Sequence, residues 1–253
     1  MISWSKCRTR AMTSRPVILF EGGEVPASLA YRAGKLGVDA CPHVEFLDIP
    51  APCVLMAPIS LIENGFTGGL RGFIEYRADD AVCPLTAEAV EAVAQGGLCL
   101  SACTTSMLSS DPAQVFCAAV RKIAPAIGDM MVELALAEAL GNSIIHGNLG
   151  LQSDLRHSLA GLVEFNTRLA QRLADPTLAS RRVTVTAVPL AGAGISISVT
   201  DDGDGFDIEH ELKKPVDVAA KSGRGLGLIR KVSSQIEGSN GGRTLTMRFL
   251  RTG

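Results

Sequence analysis

Apolar positions follow two regimes along the chain. From Arg15 to about Asp111 they come as short unbroken runs, "PVILF", "HVEFLD", "CVLMAPI" and "GGLCLSA", which predict buried strands. Between them, "PASLAYRAGKLG" and "LTAEAVEAVAQ" carry helical spacing, the second opened by the start signal Leu85-Thr86. Such alternation predicts a small α/β domain over residues 15–110. Beyond it the pattern changes to longer periodic stretches. Asp111 caps a helix whose first position is Pro112. A second helix runs from Gly128 to about Asn148, and a third, "DLRHSLAGLVEFNTRLAQRLADP", is closed by Pro176. "RRVTVTAVPL" and "GISISVT" then alternate as strands around the turn signal "AGAG". A helix over "GLGLIRKVSSQIEG" and a strand over "GRTLTMRFL" follow. Residues 111–253 therefore read as an α+β sandwich of a helical layer on a mostly antiparallel sheet.

The second of these helices carries a polar stripe. Val132, Leu136, Leu140 and Ile144 recur every four residues, and Glu138, Asn142 and His146 recur opposite them. One carboxylate, one amide and one imidazole stand among Ala135, Ala139, Gly141 and Ser143, whose small size admits a ligand. Gly141-Asn142 is a poor helical pair, which favours a functional reason over a solvated face.

Two glycine-rich stretches lie downstream. "VTDDGDGFD" packs four aspartates and two glycines into Val199–Asp207. Residues 200–211 approximate a calcium loop through Asp202, Asp204, Gly205 and Glu211, but Thr200 holds the first ligand position and the segment leading in is a strand. In "SGRGLGLIRKV", Gly223, Gly225 and Gly227 precede and enter a helix, where free backbone N–H groups and the helix end favour an anion. Taken alone, such a loop is equally an ordinary turn.

Bulk properties narrow the field. A net charge of −2 gives no electrostatic reason to expect nucleic acid or an anionic membrane as partner. At 47% hydrophobic residues the chain is core-forming. Its most apolar run, Ala51–Ile62, is too short to span a bilayer and contains Pro52 and Pro58. Residues 1–14 are basic and polar without an apolar middle, and read as a flexible leader of a cytoplasmic protein, or as an over-long start with Met12 the true one. The seven cysteines form no C-x-x-C pair, so buried thiols are expected and zinc is not.

As a set, E-x-x-x-N-x-x-x-H on a helix, D-x-G-x-G after a strand and G-x-G-x-G opening a helix resemble the GHKL ATPase superfamily. Here they are Glu138/Asn142/His146, Asp201/Gly203/Gly205 and Gly223/Gly225/Gly227. The resemblance covers about Asp111 to Gly253 and implies a Bergerat fold binding ATP and Mg²⁺. It implies that Asp201 accepts from the adenine amino group, Gly203 and Gly205 let the backbone close on the base, and Asn142 ligates Mg²⁺. Gly223, Arg224, Gly225, Leu226 and Gly227 would hold the phosphates. Thr244 would lie near the adenine, and His146 would be structural or near the phosphates. Gyrase-like members are much longer and bring a lysine from a second domain. A histidine kinase needs an upstream phosphoacceptor histidine, and His43 stands in a strand-like setting among prolines. The chain is most similar to the anti-sigma-factor type of serine/threonine protein kinase, with Glu138 as base and an anti-anti-sigma, sigma or response-regulator-like protein as partner. The alternative is a nucleotide-gated partner-binding module with little phosphotransfer. The insertion at about 149–180 would serve a partner or a homodimer. The first half loosely resembles receiver domains, but Glu21-Gly22-Gly23 follows its first strand and no aspartate ends "CVLMAPIS". It reads as a receiver without a phosphoacceptor, or as an unrelated interaction domain.

Overall fold

The computed structural model describes residues 15–43, 52–80, 82–127, 130–151, 158–192, 194–205 and 224–250. By its internal contacts the chain divides into two compact units, Met1–Ala102 with Thr186–Pro189, and Cys103–Val185 with Leu190–Gly253.

In the first unit, strands β1 (Val17–Phe20), β2 (Asp39–Pro42), β3 (Cys53–Ala57), β4 (Leu70–Glu75) and β5 (Leu98–Cys103) are joined in the order β2-β1-β3-β4-β5. Every one of these pairings is parallel. This is the flavodoxin-like doubly wound order. Parallel strands are covered on both faces, so they read as continuous apolar runs; β3 is buried along its whole length. Strand β4 is less legible because Arg71 and Gly72 dilute it. Its glycine is dictated by packing, since a Cβ at Gly72 would lie 2.4 Å from Cys99 Sγ. β2 falls on Asp39–Pro42, just ahead of the expected "HVEFLD" strand, of which residues 44–48 lie outside the described residues. Helix α1 (Ala27–Leu36) stops at Gly37, whose φ of 68° is open to glycine at little cost. Helix α2 (Ala87–Ala94) starts where Thr86 accepts from the Ala89 N–H. Ile18, Phe20, Leu29, Val54, Met56, Ile74 and Val93 form the core between these helices and the sheet. Burial pushes the Cys53 thiol up to about 11 and the Cys99 thiol up to about 12, so both are inert packing groups.

The second unit begins eight residues ahead of the expected break at 110/111. Helix α3 (Thr104–Ser109) follows β5 directly, and the backbone N–H and hydroxyl of Thr104 both donate to the Arg181 carbonyl, at 2.7 and 2.8 Å. Helix α4 (Pro112–Ile123) is capped by Asp111, which accepts from the Gln114 N–H at 3.2 Å. It packs on helix α5 (Met130–Asn142), with an Arg121–Glu133 ion pair at 3.2 Å between them. Residues Ser143–Asn148 continue as a π-type turn, followed by α6 (Leu159–Leu173) and α7 (Pro176–Ala179). Then come β6 (Arg182–Leu190), β7 (Gly194–Asp201), α8 (Arg224–Val232), β8 (Gln235–Ser239) and β9 (Thr244–Phe249). The strands lie in the order β6-β7-β9-β8, with β9 antiparallel to both of its neighbours. Val183, Val185, Ile195, Ile197, Val199, Leu245, Met247 and Phe249 alternate into the core. The helix expected to reach Gly238 ends at Val232, because Gln235–Ser239 pairs with β9. The described residues thus form a mixed α/β architecture of sheet and helices. No helix among the described residues is long and apolar enough to cross a membrane.

Candidate nucleotide site

Helix α5 and the π-type turn after it bury the predicted stripe, Val132, Leu136, Leu140 and Ile144, and α5 leaves Glu138 and Asn142 half-buried on its other side. Helix α8 meets this polar side at Gly225. A Cβ on Gly225 would lie 2.3 Å from Glu138 Oε2 and 3.7 Å from Asn142 Nδ2, so glycine leaves the Glu138 carboxylate where it stands against the turn. Arg224, Gly225, Leu226 and Gly227 form the first turn of α8, where backbone N–H groups lack intrahelical partners and the helix end favours an anion. The structure thus brings Glu138, Asn142 and the start of the glycine-rich helix together. Gly223 lies outside the described residues.

His146 lies within the π-type turn that follows Asn142. The Leu149 N–H reaches back to the Ile144 carbonyl, and His146 Nδ1 bonds the Leu151 carbonyl. A carbonyl only accepts, so the proton sits on Nδ1 and the ring closes the loop that follows.

On the sheet side, Asp201 ends β7 with 5% of its surface exposed. Its Oδ1 accepts from the Gly203 N–H at 2.9 Å, and the Ser143 hydroxyl also bonds the carboxylate. Burial raises its pKa above the ordinary carboxylate value. Neighbouring Asp202 adds to the rise, while the bonds from Gly203 and Ser143 and the charge of Arg243 oppose it. A Cβ on Gly147 would lie 2.5 Å from the Asp201 carboxylate, and one on Gly203 would lie 2.3 Å from the Gly147 carbonyl oxygen. Gly205, at φ 77°, passes as closely over Gly241, where a Cβ would meet the carbonyl at 2.1 Å. The turns at Gly147 and Gly203 therefore touch around one buried carboxylate, and Gly205 packs the same loop against Gly241. Sequence reading missed Gly147 in this role, although its place directly after His146 was the available signal.

Thr244 is a correction. It pairs with Thr200, and the two hydroxyls bond at 3.0 Å. Side chains alternate along a strand, so Thr200 and Thr244 lie on the face opposite the Asp201 carboxylate. Leu245, one position along, lies on the buried face with Met247 and Phe249. Sequence reading also missed Asn148, which is wholly buried beside this turn.

The chemistry of these donors fits a purine nucleotide and a hard cation. A carboxylate offers about four lone-pair positions, of which Gly203 and Ser143 take two. The amide oxygen of Asn142 is a ligand of the kind Mg²⁺ accepts.

The family model of the histidine kinase-like ATPase domain matches residues 111–249. No curated protein matches the chain.

Proposed function

We propose, from the premise that this chain belongs to the histidine kinase-like ATPase domain family, that it is a signalling protein kinase using Mg-ATP to phosphorylate serine or threonine on a regulatory partner. The family itself implies ATP binding. The finer reading, an anti-sigma-factor type of kinase acting on an anti-anti-sigma, sigma or response-regulator-like protein, is supported above all by one observation: the Glu138 carboxylate and the Asn142 amide lie against Gly225 in the first turn of α8. In this reading Asp201 accepts from the adenine amino group and the first turn of α8 holds phosphate through its N–H groups. Asn142 holds the cation, which supplies charge neutralisation for the transferring group. Glu138 draws the proton from the partner's hydroxyl as its oxygen bonds the γ-phosphorus and the bond to the β-phosphate oxygen breaks, leaving ADP.

The experiment is transfer of label from γ-labelled ATP to candidate partners with wild-type protein and Glu138→Gln. Loss of transfer with ATP affinity kept supports Glu138 as base; equal transfer by both removes it from that role. A second reading, a nucleotide-gated binding module, draws support from the first unit, where β3 ends at Ala57-Pro58 without a carboxylate. It expects partner capture that changes with Mg-ATP and no labelled product.

A further inference from the structure

Asn148 is 0% exposed, and nothing in the nucleotide chemistry proposed above uses it. Its side chain is nonetheless engaged at three points. Nδ2 donates to Thr104 Oγ1 at 2.9 Å and to the Arg182 carbonyl at 3.0 Å. Oδ1 accepts from the Asp202 N–H at 2.9 Å. The Asn148 carbonyl also accepts from Arg181 Nη1 at 2.8 Å. The Asp202 carboxylate closes the ring by accepting from the Arg182 N–H at 2.8 Å.

These bonds bear on Asp201. Its own N–H is held by the Arg243 carbonyl at 3.0 Å, and the N–H of the next residue is held by Asn148. The two peptides that flank the Asp201 Cα are thus each held, and the direction of its Cα–Cβ bond follows from them. A buried carboxylate packed 2.5 Å from where a Gly147 Cβ would stand has little room to reach the same point from another backbone angle. Both amide groups of Asn148 are needed: the NH₂ anchors it to the α3 start and β6, and the oxygen holds the turn. Aspartate lacks the donors, and serine or alanine lacks the reach.

We infer that Asn148 is a positioning residue for base recognition, aiming the Asp201 carboxylate at the exocyclic amino group of adenine by holding the Asp202 N–H. The inference rests on the reading of Asp201 given above, and its test separates the two.

The measurement is the ratio of dissociation constants for ATP and for purine riboside triphosphate, which lacks only the 6-amino group. Wild type prefers ATP by roughly tenfold or more, as one hydrogen bond to a charged acceptor gives. Asn148→Ala loses most of that preference while its affinity for purine riboside triphosphate stays within about twofold of wild type, a pattern that general loosening of the fold does not produce. Thr104→Val, which removes the acceptor for one Nδ2 hydrogen, loses part of the preference, and Thr104→Ser restores it. If Asn148→Ala does not fold, the two Thr104 variants decide: equal preference in both overturns the inference. So does an Asn148→Ala protein that unfolds at lower temperature yet keeps the full preference for ATP. Asp201→Ala is the separating arm. If it too keeps the preference, the reading of Asp201 fails; if it loses the preference while the Asn148 and Thr104 variants do not, only the positioning role fails.

Discussion

Gly203→Ala and Gly141→Ala add the same methyl group to the same unit and should move its stability in opposite directions. At Gly203 the new Cβ lies 2.3 Å from the Gly147 carbonyl oxygen and 2.8 Å from Asp201 Oδ1, about 1.1 and 0.6 Å short of an ordinary 3.4 Å contact. Neither neighbour yields cheaply. Gly147 sits in the π-type turn held by the Leu149 N–H, and the Asp201 turn is held by the Gly203 and Asp202 N–H groups. Overpacking against backbone costs about 1–3 kcal/mol, a fall of roughly 2–12 °C in Tm for a unit of this size. Gly141 is different: it is exposed within α5 and its Cβ meets nothing within 4 Å. Alanine there removes the backbone freedom of glycine from a helix and should stabilise by about 0.5–1 kcal/mol. Urea unfolding of both variants, followed by circular dichroism, checks the signs. A Gly203→Ala protein as stable as wild type would show that the turns do not touch as described. Calorimetry on Gly141→Ala adds a functional arm: undiminished ATP affinity would show that the small residue beside Asn142 is not there for ligand approach.

Two further outcomes follow from the site. The folded pKa of Asp201 is raised, so its contribution to stability is full below the ordinary value of 3.8 and is lost as pH rises through the folded value. Asp201→Asn removes that titration, and its Tm should gain on wild type as pH rises from about 4 to about 8; a difference that stays flat or shrinks would contradict the burial argument. Gly225→Ala sets a methyl group 2.3 Å from Glu138 Oε2, the far end of a flexible side chain that can turn away. Stability should change by less than about 1 kcal/mol while ATP affinity falls, and calorimetry that finds affinity unchanged would separate Gly225 from the phosphate site.

The sequence by itself determined the elements whose apolar pattern is strong and local. Unbroken runs marked β1, β3 and β5, alternation marked β6, β7 and β9, and the four-residue stripe marked α5, because burial on two faces, one face or one helical stripe leaves a direct imprint on residue type. Caps at Thr86 and Asp111 were equally legible, since a side-chain oxygen bonding an N–H three residues on is a local event. Glu138 and Asn142 were named from helical spacing and Gly225 from its glycine cluster, while Asp201 was singled out among four aspartates through the family resemblance. Tertiary structure decided what spacing cannot carry. β4 and β8 exist because a neighbouring strand supplies their partners, not because Leu70–Glu75 or Gln235–Ser239 look like strands. A π-type turn follows Asn142, and contacts beyond it, which no helical period encodes, bond His146 to the Leu151 carbonyl and bury Asn148. One residue of register separates Thr244 from Leu245, and a single step along a strand reverses the face. Gly147 and Gly203 acquire meaning only through each other, because a contact between two backbones leaves no trace in either segment beyond the absence of a side chain.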